Sequence, residues 1–227
     1  MNKIKDVENY LKNLLFSGEI TIEELENLSV RLRDELKQPK KKNTSSFSEV
    51  EVGWYAFAGG KFSPDSDAYP NCQGVVGWVN LDKNAPEGQR GLIITPDEVE
   101  MMWSDKYYET KIKDEYDGKG NTKELIAYGK AHDITFPAAE WCAQYSKNGV
   151  NPGEGFMPAS EQLKRIVANR EIVNPALQKI GGIILDGWIW SSSEYGSYGA
   201  WVVYAYDGTV SNYYKNSYGY VRCVLAF

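Results

Sequence analysis

Few side chains in this chain have the type and spacing that catalysis needs. His132 is the only histidine, which excludes a zinc site requiring two imidazoles and leaves one candidate base for a nucleophilic triad. It sits in AHDIT beside no recognisable nucleophile motif and reads as a surface or hydrogen-bonded histidine. Cys72, Cys142 and Cys223 lie far apart and form no CxxC pair. An odd, sparse set is no disulfide framework; buried free thiols are the simpler reading, with one long-range bridge left open. Asp65-Ser-Asp67 and Asp114-Glu115-x-Asp117-Gly118 have oxygens suited to calcium, but the second cluster lacks an EF-type terminal glutamate in register. Solvated loops account for both. No catalytic residue, cofactor or metal site is expected.

Recognition chemistry, in contrast, is concentrated near the carboxyl end. Half of the 16 tyrosines fall between residues 195 and 220 of 227: Tyr195, Tyr198, Tyr204, Tyr206, Tyr213, Tyr214, Tyr218 and Tyr220. Asp207 and Lys215 are the charged residues of that window, and the remainder is largely Ser, Gly, Asn, Ala and Val. This is the composition of antibody-type binding loops. Tyrosine supplies broad amphipathic contact area at low rotamer cost, and small residues supply adaptable hydrogen bonds. β-propensity alone would explain Tyr204 and Tyr206, but not the turn-like Tyr195-Gly-Ser-Tyr198-Gly or Tyr213-Tyr214-Lys-Asn-Ser-Tyr218-Gly. The expected contact surface comprises Tyr195, Gly196, Ser197, Tyr198, Tyr204, Tyr206, Ser211, Tyr213, Tyr214, Asn216, Ser217 and Tyr218.

Those residues need a scaffold. Val52–Ala58, Val75–Val79 and Gly91–Thr95 read as strands between turn residues. Thr95-Pro96-Asp97-Glu98 has the form of a capping box opening a short helix. Further helices are expected from Asn121 to Gly129, from Glu161 to Asn169 behind Ser160, and from Asn174 to Ile180 before Gly181-Gly182. The last segment returns to strands at Trp188–Ser191, Ala200–Tyr206, Thr209–Tyr214 and Tyr220–Ala226, with Asp207-Gly208 as a tight hairpin turn. Trp188, Trp190 and Trp201 are expected to anchor the core. Arg222, flanked by apolar residues, needs a carboxylate if buried, and Glu194 is the expected partner. Upstream, residues 1–37 read as a helical hairpin, with a capping box from Thr21 to Glu24 opening its second helix. Its two apolar stripes must pack on something further, which leaves a local cap and a homo-oligomerisation handle as alternatives. Residues 38–47, with Pro39 and Lys40 to Lys42, form a linker, and a domain follows over 48–227.

Several stretches occur in an order that resembles a known family: GLIITPDE at 91–98, PAAEWC at 137–142, GFMPASEQL at 155–163, NPALQKIGG at 174–182, WIWSSSE at 188–194 and YVRCVLAF at 220–227. Together they resemble bacterial and phage C-type-lectin-like domains, the group that includes the formylglycine-generating-enzyme fold and the variable proteins of diversity-generating retroelements. The resemblance implies an α+β, C-type-lectin-like fold with mixed or antiparallel sheets and two or more helices, and a variable region at about 190–227. In retroelement-diversified proteins, adenines of AAY codons are randomised. Residues 195–199, 203–207, 211–214 and 216–219 are all reachable from such codons, whereas Trp201 and Lys215 are not. The resemblance therefore implies a ligand- or receptor-binding protein, phage- or prophage-encoded. An undiversified assembly protein that self-associates is the alternative. Formylglycine-generating enzymes use paired cysteines in the carboxyl-terminal part of the domain; here Cys223 alone lies there, so that chemistry is not implied.

The balance of 25 basic against 31 acidic residues, a net charge of −6, argues against nucleic acid as a partner. No apolar run approaches the ~20 residues of a membrane span. The amino terminus, MNKIKDVENYLKNLLFSG, is amphipathic and lacks the apolar core of a signal peptide. Synthesis in the cytoplasm and a role as a virion tail component are the corresponding expectations.

Overall fold

A computed structural model describes Thr21 and residues 49–82 and 84–227 of the protein. The chain divides after Asn43, and the second unit, Thr44–Phe227, holds the described residues from 49 onward. The helical hairpin and linker expected over 1–37 and 38–47 lie outside the described residues.

Among the described residues, eight strands form one sheet: β1 (Tyr55–Phe57), β2 (Lys61–Ser63), β3 (Cys72–Val79), β4 (Gly91–Met102), β5 (Trp188–Glu194), β6 (Gly199–Tyr204), β7 (Val210–Tyr214) and β8 (Tyr218–Ala226). Between β4 and β5 come α1 (Gly118–His132), α2 (Pro137–Gln144), α3 (Ser160–Val167) and α4 (Arg170–Lys179). The strand order is β2-β1-β3-β4-β8-β5-β6-β7. Neighbours are antiparallel except β5 and β8, which run parallel at Ile189 and Tyr220, so the sheet is mixed and the fold α+β.

Strand alternation divides the core in two. Val76, Ile93, Trp190, Val202, Val221 and Cys223 meet α1 and α2 through Leu125, Ala138, Ala139 and Cys142. Their neighbours Val75, Ile94, Ile189, Val203 and Val224 meet α3 and α4 through Leu163, Ile166, Val173 and Leu177. A strand covered on both faces reads as a continuous apolar run, which is why the terminal YVRCVLAF shows no alternation. Asp117 starts α1 by accepting the Gly120 N–H (2.8 Å). Gln162 Oε1 accepts the N–H groups of Ala159 and Gly118, each at 3.0 Å, and so ties the start of α3 to that of α1. Ala159 therefore holds the cap position expected of Ser160, whose N–H is used by Ser193 Oγ (3.1 Å).

Two expectations fail for tertiary reasons. The capping signature at 95–98 opens no helix, because that stretch is the middle of β4, with Glu98 opposite Arg222 and Val99 opposite Val221. Thr95 is buried and its hydroxyl donates to the Cys223 carbonyl (3.0 Å). Pro96, which has no N–H to offer, sits where the register shifts between Ile94 and Glu98. Pairing with β8 outweighs a local signature in which no residue is compelled to be helical. The Arg222–Glu194 pair is also absent: buried Arg222 meets Glu98 (3.4 Å) and the carbonyls of Ile183 (2.9 Å) and Thr95 (3.0 Å). Among the described residues its Nε has no hydrogen-bond partner.

Candidate functional site

The tyrosine-rich segment is built on a frame with its own buried ion pair. Glu194, at the end of β5, and Lys215, just after β7, are both inaccessible, and their charged atoms lie 2.5 Å apart. Glu194 also accepts the N–H groups of Thr110 (2.9 Å) and Lys111 (2.8 Å). Lys215 donates to the Tyr108 carbonyl (2.5 Å) and stands 4.8 Å from the Trp103 ring centre. The Lys215 carbonyl accepts the N–H groups of Trp103 and Ser104, and the Trp103 indole donates to the Ser191 carbonyl (2.8 Å). One charged pair thus ties β5, the end of β7 and the 103–112 loop together. Burial lowers the Lys215 pKa, and Glu194 offsets that only in part.

Around this frame the tyrosines face solvent. Tyr198, Tyr214 and Tyr218 are 65%, 61% and 61% exposed, and Tyr195 and Tyr213 are exposed as well. Tyr195, Gly196, Ser197, Tyr198, Tyr213 and Tyr214, with Gly199 and Asn212, line one open groove of about 360 Å³ that contains no charged side chain. The rings rest on the tryptophans: Tyr195 lies edge-on to Trp201 (4.7 Å) and Tyr213 packs on Trp188 (4.9 Å). Trp190 is fully buried behind them.

Not every expected contact residue joins this groove. Tyr204 is half-buried, opposite Trp188 in the β5–β6 register, with Ser211 on the same face. Tyr206, exposed in the β6–β7 turn, stands on the order of 20 Å from Tyr198 at ~3.3 Å per strand residue. Its hydroxyl bonds to Asp207, which raises its pKa. Asn216 meets the groove indirectly, its Oδ1 accepting from the Tyr107 hydroxyl (2.6 Å). Ser217, in the turn before β8, donates its N–H to the Tyr214 carbonyl (2.9 Å).

Tyr107 and Tyr108 were not expected at the surface. Tyr107 stands edge-on to Tyr198 (5.3 Å) and Tyr214 (6.4 Å), and Tyr108 lies 5.7 Å from Tyr128, which stacks on His132 at 4.0 Å. The aromatic surface therefore extends more than 80 residues upstream of the tail. The signal was the doublet in DKYYETK, masked by the charged residues around it. His132 Nδ1 lies 2.9 Å from the Tyr128 carbonyl, so this side chain belongs to the aromatic surface.

The other chemical candidates have structural work. Asp114 Oδ1 accepts the N–H groups of Tyr116 (2.7 Å) and Asp117 (2.8 Å), Asp117 caps α1, and Asp65 accepts the Asp67 N–H (3.2 Å). Among the described residues no group of three or more His, Cys, Asp or Glu is placed to hold a metal ion. All three cysteines are free thiols; Cys142 and Cys223 are buried, and burial pushes the Cys142 thiol well up. A second cavity of about 510 Å³ lies against Trp78, Tyr116 and Arg165. The Arg165 guanidinium stands over both rings, at 4.8 and 5.5 Å. No described helix is long and apolar enough to cross a membrane.

No protein-family model matches the chain, and no curated protein matches it. Among solved structures it is similar to a fimbrial protein from Bacteroides ovatus ATCC 8483, with a TM-score of 0.64 at 16% identity over 78% of this chain. The match covers 49% of that protein, so the chain spans about half its length. At this identity the likeness is one of fold: the α+β unit described here shares its architecture with part of a fimbrial protein.

Proposed function

We propose that this chain is a non-enzymatic ligand-binding protein, a C-type-lectin-like variable protein of the kind diversified by retroelements. It would be phage- or prophage-encoded and present its tail tyrosines to a protein or cell-surface receptor, in a virion tail. The observation that carries the reading is one uncharged groove ringed by four codon-reachable tyrosines. Tyr195, Tyr198, Tyr213 and Tyr214 are exposed around it, whereas unreachable Lys215 is fully buried and Trp201 half-buried; codon-reachable Val203 and Ala205 are buried beneath the surface. Large rigid rings with small polar neighbours on a fixed frame are what adaptable recognition requires.

The fimbrial likeness favours a second reading, an undiversified assembly protein that self-associates through this domain. Substituting Tyr195, Tyr198, Tyr213 and Tyr218 together by Ser separates the two. Wild type and variant are challenged with a displayed library of random peptides and small folded domains, and both are followed by circular dichroism and sedimentation. Recognition predicts a folded variant of unchanged oligomeric state that loses the binders selected on wild type. Loss of oligomerisation with the selected binders retained, or unfolding of the variant, would favour assembly. The diversification claim has its own test in the flanking DNA: a genome lacking both a near-identical, adenine-rich template repeat and a reverse-transcriptase gene removes it.

A further inference from the structure

The two edges of the sheet are finished differently. β2 is three residues long, carries exposed Lys61 and is followed by Pro64, which are common devices against the addition of another strand. β7, at the opposite edge, has five residues with no charge, no proline and no register shift against β6. Lys215, the charge that would guard its end, is turned inward and buried. Asn212, Tyr213 and Tyr214 face solvent.

Register decides which backbone groups of β7 are free. The Tyr204 N–H donates to the Thr209 carbonyl (2.9 Å) and the Lys215 N–H to the Tyr198 carbonyl (3.0 Å). Bonded pairs alternate with unbonded ones in an antiparallel ladder, so Ser211 and Tyr213 also bond inward, to Val202 and Ala200. The N–H groups of Val210, Asn212 and Tyr214 and the carbonyls of Val210 and Asn212 therefore point away from β6, and no bond to them occurs among the described residues. Side chains alternate likewise. Tyr213 shares a face with Trp188, and Asn212 and Tyr214 share the other with Trp201. The open edge runs between aromatic walls.

The geometry points to strand addition at β7: an extended segment of another protein pairs with this edge and places a bulky, uncharged side chain in the groove beside Tyr214. This deepens, and rests on, the reading of the tail as a recognition surface. An incoming strand would satisfy five main-chain groups at once, while its alternate side chains meet the aromatic walls and supply specificity. A charged side chain in the groove would be desolvated without a partner. A second copy fits less well: a two-fold β7–β7 pair centred on Asn212 sets Val210 opposite Tyr214, and valine is too small to fill a groove of about 360 Å³.

The test uses the full chain and random short peptides displayed on phage. Asn212→Pro removes the central outward N–H and leaves the inward bonds of Ser211 and Tyr213 intact; Asn212→Ala is the control. Peptides selected on wild type should bind the Pro variant roughly ten- to a hundredfold more weakly than the Ala variant, which loses the same groove-lining side chain but keeps the N–H, the scale of a blocked, hydrogen-bonded strand edge. Amide exchange at Val210, Asn212 and Tyr214 should slow when peptide is added to the unaltered chain, and that measurement decides the matter if the proline variant does not fold. Equal binding to both variants, unchanged exchange, a selection that yields no binder, or copies that pair through β7 would each overturn the proposal. If the quadruple tyrosine variant abolishes binding and Asn212→Pro does not, the recognition surface stands and strand addition falls. If neither variant matters, both fall.

Discussion

Replacing Glu194 by Gln removes one charge from the frame beneath the tyrosines, and the structure sets the size of the effect. Oε1 accepts from Thr110 N–H (2.9 Å) and Lys215 Nζ (2.5 Å), and Oε2 accepts from Lys111 N–H (2.8 Å). Glutamine retains one acceptor oxygen and turns a donor toward the rest. With that oxygen at the Oε1 position the buried Lys215 ammonium keeps neutral acceptors and the Trp103 ring but loses the carboxylate charge it pairs with, and the glutamine NH2 faces the Lys111 N–H. Removing one partner of a buried ion pair costs about 3–5 kcal/mol, and two unsatisfied groups at ~1–3 kcal/mol each give a similar figure. With a urea slope of about 2 kcal/mol/M, the unfolding midpoint should fall by roughly 1.5–2.5 M.

The pH dependence supplies a second check. Burial already lowers the Lys215 pKa, and loss of Glu194 lowers it further. Between that lowered folded-state value and the ordinary lysine pKa of about 10.4, the unfolded state binds more protons than the native one, so stability rises with pH. The Glu194→Gln defect should therefore shrink as pH is raised from neutrality toward that value. The double variant Glu194→Gln, Lys215→Met should recover part of the loss, because it removes the buried unpaired charge while a side-chain oxygen remains to accept the Thr110 N–H. A loss below about 1 kcal/mol at neutral pH, the range of exposed pairs, or a defect indifferent to pH, would refute the argument.

Gly219 lies against the tryptophans beneath the tyrosines: a Cβ there would come within 2.2 Å of Trp188 Cζ3 and 2.8 Å of Trp190 Nε1. Gly219→Ala should cost about 1–3 kcal/mol by overpacking and move Trp188 away from Tyr213, read as a lower Tm with altered tryptophan fluorescence; an unchanged Tm would contradict the packing. The thiols should differ in reach, since Cys142 and Cys223 are buried while Cys72 is half-buried with its pKa raised by burial. A maleimide at neutral pH should label Cys72 slowly and the other two only on unfolding, because the thiolate is the reactive form. Rapid native labelling of Cys142 would show an open core.

Much of the architecture is legible residue by residue. The tryptophan-anchored strands, the Asp207-Gly208 turn and the helices near 121–129, 161–169 and 174–180 are signalled by apolar runs and turn residues, and each has a counterpart in the structure. These signals are local, and neighbouring residues settle them. The capping box at 95–98 misled for the same reason: it too is local, and β8, more than a hundred residues away, paired with that stretch instead.

The composition of the tail, with its crowded tyrosines, sparse charge and small polar neighbours, was determined by the sequence alone. Tertiary structure decided what those residues face. It drew Lys215 inward to Glu194, gave Arg222 to Glu98, brought Tyr107 and Tyr108 beside Tyr198 and Tyr128, and left Tyr206 at the far turn. Charge partners and ring neighbours are chosen by distance in space. Closing a loop of many residues adds only slowly to its entropic cost, so desolvation and close packing select contacts that separation along the chain does not announce.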